Sequence, residues 1–206
     1  MRTGILGGTF DPIHIAHLHA GETALYQANL DRVLFVPAGD PWQKSDRVLT
    51  GAAHRLEMIR LAIADTDGFD IDVRELERAG PTYTIDTLLS FPETEDLSLI
   101  LGADAALGLP TWHRWEEVVE RVSLLVVPRP GTDAREVQSV LPEAVFLDMA
   151  VLEISGTEIR EMAQIGEPFR FLVPLAVHDY IEALGLYAEP RGDDMVGDSS
   201  DQEEGS

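Results

Sequence analysis

The chain has no cysteine and only one lysine, Lys44. Without cysteine there is no disulfide framework and no zinc site built on thiolates, which is compatible with a reducing, cytoplasmic setting. No uncharged apolar run approaches the roughly 18 residues that a membrane-spanning helix needs, and the first residues show no charged-then-apolar leader pattern. Neither membrane insertion nor secretion is expected. Positive charge is scarce: 15 Lys and Arg face 37 Asp and Glu, for a net charge of −22. So acidic a chain repels phosphate backbones unless it carries a basic patch, and no nucleic-acid partner is expected. The shortage of lysine relative to arginine fits either arginine-favouring codons or a salt-rich habitat. An acidic chain that takes a polyanionic ligand must gather its few cations at one place.

What is present is a core. At 206 residues and 45% hydrophobic, the chain has enough apolar material for one α/β domain but not for two large ones. Apolar runs predict strands at Thr3 to Leu6, Arg32 to Val36, Phe69 to Val73, Leu97 to Leu101 and Ser123 to Val127, with a weaker one near Ala144 to Leu147. Amphipathic stretches predict helices over His17 to Ala28, Ala52 to Ala64, Ile85 to Ser90, Trp115 to Arg121 and Asp133 to Val140. This alternation is that of a doubly wound, mainly parallel sheet whose ligand site lies at the strand C-termini. Two further helices are expected near the C-terminus, Glu158 to Gln164 and one that starts at Pro174 and runs through Ala183. The expected domain covers residues 1–188. Residues 189–206 are acidic, with Gly and Ser and few apolar anchors, and read as a disordered tail.

The most informative stretch is Gly7 to His17, Gly-Gly-Thr-Phe-Asp-Pro-Ile-His-Ile-Ala-His. A strand runs into a glycine turn and then towards a helix start, where free backbone N–H groups favour anions. His14 and His17 add side-chain donors. No lysine follows the glycines as in a P-loop, and the dinucleotide fingerprint is absent. No carboxylate or cysteine cluster completes a metal set with His14, His17 and His19.

This stretch resembles the signature of the HxGH nucleotidyltransferases, with Ala16 where that family has glycine. Further segments narrow the resemblance: Val36 to Lys44, Gly80 to Thr84 with Asp86 to Leu88, Gly102 to Asp104, Trp112 to Trp115, and Ile154 to Arg160, in which Gly156 replaces the usual serine. Together with Pro174, Val177, Tyr180 and Ile181, they are similar to the bacterial nicotinate-nucleotide adenylyltransferases over residues 1 to about 188. The resemblance implies a Rossmann-like nucleotidyltransferase fold with C-terminal helices. It also implies adenylyl transfer from ATP to nicotinate mononucleotide in NAD biosynthesis, with pyrophosphate released and no covalent intermediate. The amide mononucleotide is the alternative acceptor, and a nucleotide-binding regulator that has lost catalysis is the alternative of another class.

On the same resemblance, His14, His17, Lys44 and Arg160 form the catalytic set. ATP is expected to be held by Gly7, Gly8, Thr9, Phe10, His14, His17, Gly102, Asp104, Ile154, Ser155, Thr157 and Arg160. Nicotinate mononucleotide is assigned to Thr9, Lys44, Thr82, Tyr83, Thr84 and Trp115, with the Trp115 ring stacked on the pyridine. Arg129 reads either as an edge of the site or as a structural loop arginine. Mg²⁺ is expected with ATP, held mainly by phosphate oxygens and water rather than by a protein metal site. Self-association into a homo-oligomer is compatible with the chain.

Overall fold

The computed structural model describes residues 1–39 and 49–188. Six strands, β1 Arg2–Gly8, β2 Arg32–Pro37, β3 Phe69–Ile71, β4 Asp96–Gly102, β5 Ser123–Val127 and β6 Val145–Phe146, form one sheet in the order β3-β2-β1-β4-β5-β6. All five neighbouring pairs are parallel, and Ile5 of β1 lies opposite both Leu34 and Leu99. The order reverses direction between β1 and β4. That is the switch point at which an open α/β sheet leaves a crevice.

Alternation along the strands builds two cores. Ile5, Leu34, Val36, Leu99, Leu101 and Val126 point to one face, where they meet Ile85, Leu88, Ala106, Val118 and Val137. These come from α4 Thr84–Leu89, α5 Ala103–Gly108, α6 Trp115–Arg121 and α7 Ala134–Val140. Leu6, Val33, Phe35, Ile100, Leu125 and Val127 point the other way. They are covered from α1 Ile15–Gln27, α2 Ala52–Ile63, α8 Gly156–Ile165 and α9 Leu175–Leu184. A sheet buried on both faces explains why its strands read as nearly continuous apolar runs.

Two regions differ from expectation. β3 ends at Ile71 rather than Val73 because the Asp72 carboxylate accepts hydrogen bonds from the Arg74 N–H (3.0 Å) and Nε (2.8 Å), and this turns the chain into α3 Arg74–Glu77. After β4, Gly102 leads directly into α5 and a 3₁₀ turn, Leu109–Thr111. None of these three short helices has enough residues to show a period. Among the described residues no helix is long and apolar enough to cross a membrane.

Candidate active site

A cavity of about 540 Å³ opens at the switch point, walled by the C-terminal ends of β1 and β4 and the loops that follow them. That volume is in the range of small-molecule sites. Of the residues expected from sequence, Gly7, Gly8, Thr9, His17, Thr82, Tyr83, Thr84, Gly102 and Asp104 line it. Lys44 lies outside the described residues.

The signature segment is shaped around Phe10. Its backbone is left-handed (φ 49°), rare for a bulky residue, and its ring is buried beneath the loop. A Cβ at Gly8 would stand 3.1 Å from that ring, which explains the glycine. The Phe10 ring in turn meets His17 edge-on, with centroids 5.0 Å apart. Phe10 is therefore the floor under a histidine, and its side chain is not in the cavity wall.

His14 and His17 take different places. His17 lines the cavity, whereas His14 is only 2% exposed and stacks behind it with ring centroids 3.7 Å apart. The His14 backbone N–H donates to His17 Nδ1 at 3.3 Å. This assigns the His17 proton to Nε2, the nitrogen left to act as a donor. Burial, and then the charge of Arg129, hold the His14 pKa down to about 4. Its imidazole is neutral at pH 7.

Arg129 also lines the cavity, at the turn after β5. Its Nε stands 3.9 Å from Asp104 Oδ1, so Asp104 contributes its carboxylate to the wall from the first turn of α5. Arg129 Nε and His14 Nδ1 are buried and accept or donate no hydrogen bond within the described protein. Buried polar atoms are normally satisfied, and an anion lodged against this wall fits both the orphaned donor and the Arg129 charge.

The other end of the cavity is aromatic and polar. Tyr83 precedes α4 and lies against His113 with centroids 4.5 Å apart. Trp112 and His113 line the cavity and Trp115 does not, although both tryptophans pack against the same core. The cause is local. Trp112 is extended after the 3₁₀ turn, Arg114 is left-handed (φ 55°), and Trp115 opens α6 on the far side of that reversal. Glu75 and Thr87 complete this end, joined by a 2.7 Å hydrogen bond from the Thr87 hydroxyl to the carboxylate. Burial raises the Glu75 pKa, against the lowering effect of the Thr87 and Thr82 hydroxyls. Sequence reasoning missed Glu75, Thr87 and His113. His113 and Thr87 had a signal, since they lie within the Trp112 to Trp115 and Asp86 to Leu88 segments; Glu75 had none.

The start of α8 is not in the cavity wall. Ser155 caps the helix: its hydroxyl accepts the Glu158 N–H (3.2 Å), and its own N–H donates to the Glu158 carboxylate (3.0 Å). Arg160 Nη2 donates to Thr157 Oγ1 at 2.9 Å and Nη1 to the Asp11 carbonyl at 2.5 Å. Arg160 thus docks the start of α8 on the signature segment through the Asp11 carbonyl, and Ile154, Ser155, Thr157 and Arg160 all lie outside the cavity lining.

The cytidylyltransferase-like family pattern matches residues 5–162. A Synechococcus protein named "probable nicotinate-nucleotide adenylyltransferase" is 44% identical, covering 92% of this chain and 96% of its own length. One from Dehalococcoides mccartyi with the same name is 40% identical, covering 91% and 97%. The fold is shared with the Plasmodium falciparum nicotinic acid mononucleotide adenylyltransferase complexed with APC, at a TM-score of 0.75 and 22% identity, covering 90% of this chain and 96% of that one. The chain belongs to the cytidylyltransferase-like family and, within it, to the nicotinate-nucleotide adenylyltransferases.

Proposed function

We propose that the protein transfers the adenylyl group of ATP to nicotinate mononucleotide, releasing pyrophosphate and forming nicotinate adenine dinucleotide for NAD biosynthesis. The observation that carries this reading is one cavity with two unlike ends. His17 and Arg129 stand at one end; Thr82, Tyr83, Thr84, Trp112 and His113 stand at the other.

The chemistry asks little of a nucleophile and much of electrostatics. An oxygen of the mononucleotide phosphate forms a bond to the α-phosphorus of ATP, and the bond from that phosphorus to the bridging oxygen breaks, so that the oxygen leaves on pyrophosphate. No proton has to move, because the attacking phosphate is already ionised. Catalysis then consists of aligning two polyanions and holding the charge that develops. We assign the His17 Nε2–H to the α-phosphate, and the Arg129 and Arg160 cations to the triphosphate. Lys44 joins them on its sequence position alone. His14 acts through His17, fixing its tautomer and ring plane. Asp104 is the carboxylate for ribose hydroxyls, and the acceptor ring is assigned to the Trp112 side with Tyr83 and Thr84 at its carboxylate.

Mg²⁺ enters as part of the nucleotide substrate. Its ligands on this reading would be mainly phosphate oxygens and water, as is usual for Mg²⁺ bound with a nucleotide. A reaction drawing on ATP and mononucleotide pools is assigned to the cytoplasm.

The test is pyrophosphate release from ATP and Mg²⁺ with nicotinate mononucleotide or nicotinamide mononucleotide as acceptor. Strong preference for the acid is expected. Preference for the amide would overturn the acceptor assignment, and no release with either would overturn the reaction.

A further inference from the structure

Behind the cavity, the signature segment is gripped by a buried polar network whose Asp11, Arg55 and Tyr187 do not line the cavity. Asp11 and Arg55 are 3% and 2% exposed. Arg55 Nη1 donates to the Thr9 carbonyl (2.8 Å) and its Nε to the Thr50 carbonyl (3.0 Å). The Thr50 N–H reaches Asp11 Oδ2 at 3.4 Å. The other carboxylate oxygen, Oδ1, accepts the hydroxyl of Tyr187 at 2.8 Å, across 176 positions of sequence. Tyr187 itself is held with a left-handed backbone, φ 72°.

A carboxylate and a guanidinium are costly to bury, and apolar side chains of similar volume often hold packed elements as well or better. What apolar groups cannot do is fix particular carbonyls and peptide planes. Here the gripped atoms belong to Thr9 and Asp11, on either side of Phe10. The left-handed Phe10 carries the ring that sets the edge of His17. An uncommon φ in a bulky residue persists only where its surroundings over-determine it. Burial and the Asp11 charge raise the Tyr187 pKa, so its hydroxyl stays a donor.

We propose that Tyr187, acting through Asp11 and with Arg55, is a positioning residue that locks the Thr9 to Asp11 segment in the conformation that orients His17. The end of the described chain thereby serves turnover as well as stability. This rests on the adenylyl-transfer reading, and its test separates the two.

Tyr187→Phe removes one oxygen and keeps the ring. In the full chain, kcat and the KM for ATP are measured well below the melting temperature, together with the ¹⁵N and ¹H signals of the His17 imidazole. The expected result is a loss of about 10-fold to 100-fold in kcat, a smaller change in KM, and shifted His17 signals. Asp11→Asn should lose a similar factor, and the double variant should be little slower than the slower single variant, since both cut one link. If wild type fails to release pyrophosphate, the functional reading has failed, and the His17 signals alone decide this proposal. Unchanged kcat and unchanged His17 signals in Tyr187→Phe would overturn it. So would multiplicative losses in the double variant, or a kcat loss that vanishes when the variants are compared at equal distance below their melting temperatures. Should Tyr187→Phe fold poorly, Asp11→Asn carries the same readings.

Discussion

The Asp11 carbonyl oxygen stands 2.7 Å from where a Cβ on Gly156 would lie, and Arg160 Nη1 stands 3.3 Å from the same point. A backbone atom cannot swing aside as the tip of a side chain can. The first turn of α8 and the signature segment touch here because residue 156 has no side chain. The serine that the family pattern places at this position would have to push them apart.

Gly156→Ser is therefore expected to destabilise the protein by about 1 to 3 kcal/mol, the usual range for overpacking, and to lower turnover by displacing Arg160. Thermal unfolding and steady-state kinetics measure the two effects. A variant as stable and as fast as wild type would show that α8 can slide, and that Gly156 is a neutral departure.

Most of the architecture was legible because a doubly wound sheet writes itself as apolar runs alternating with amphipathic stretches. The strands and long helices fall within a few residues of expectation. The site was legible where a residue's role follows from its place at a strand end, as with Gly7, Gly8, Thr9 and Gly102. It was not legible where one backbone dihedral decides the outcome. Trp112 and Trp115 have similar spacing arguments, and only the left-handed Arg114 separates the tryptophan that reaches the cavity from the one that does not. Nor does sequence reveal that His14 stands behind His17, since a motif gives order along the chain and not depth. The pairing of Asp11 with Tyr187 joins residues 176 positions apart, beyond the reach of any local pattern.

His14 gives stability a pH dependence whose sign is fixed. Its folded pKa, about 4, is below the ordinary 6.5, so the unfolded chain binds the proton first as pH falls. The neutral, buried state is fully favourable above about pH 6.5, and its contribution is lost progressively down to about pH 4. From pH 7 to pH 5 the loss amounts to about 2 kcal/mol. Urea unfolding of wild type and His14→Leu at both pH values isolates this term, because other titrating groups cancel in the difference. An equal pH dependence in the two proteins would mean that His14 is hydrated and titrates normally.

His17 combines cavity exposure with a fixed tautomer. His17→Ala removes the Nε2 donor and is expected to lower kcat by about 100-fold to 1,000-fold, the range for losing one preorganised donor to a developing oxyanion. Its stability should change by no more than about 1 kcal/mol, since the ring is only partly buried. A rate within a few fold of wild type would remove it from the α-phosphate.

The two tryptophans make the sharpest contrast. Both pack against the core, but Trp112 also lines the cavity at the end carrying Tyr83 and His113, while Trp115 does not reach it. If the acceptor ring stacks at this end, Trp112→Ala should raise the KM for nicotinate mononucleotide by about 5-fold to 50-fold, equivalent to about 1 to 2.5 kcal/mol of lost aromatic contact, and leave the KM for ATP nearly unchanged. Trp115→Ala should do the reverse of a binding mutation: it should cost stability through lost packing, with both KM values close to wild type. Steady-state kinetics with each substrate varied in turn, paired with thermal unfolding, reads all of these quantities. A raised acceptor KM in Trp115→Ala and not in Trp112→Ala would move the acceptor ring away from Trp112 and overturn the assignment of this end of the cavity.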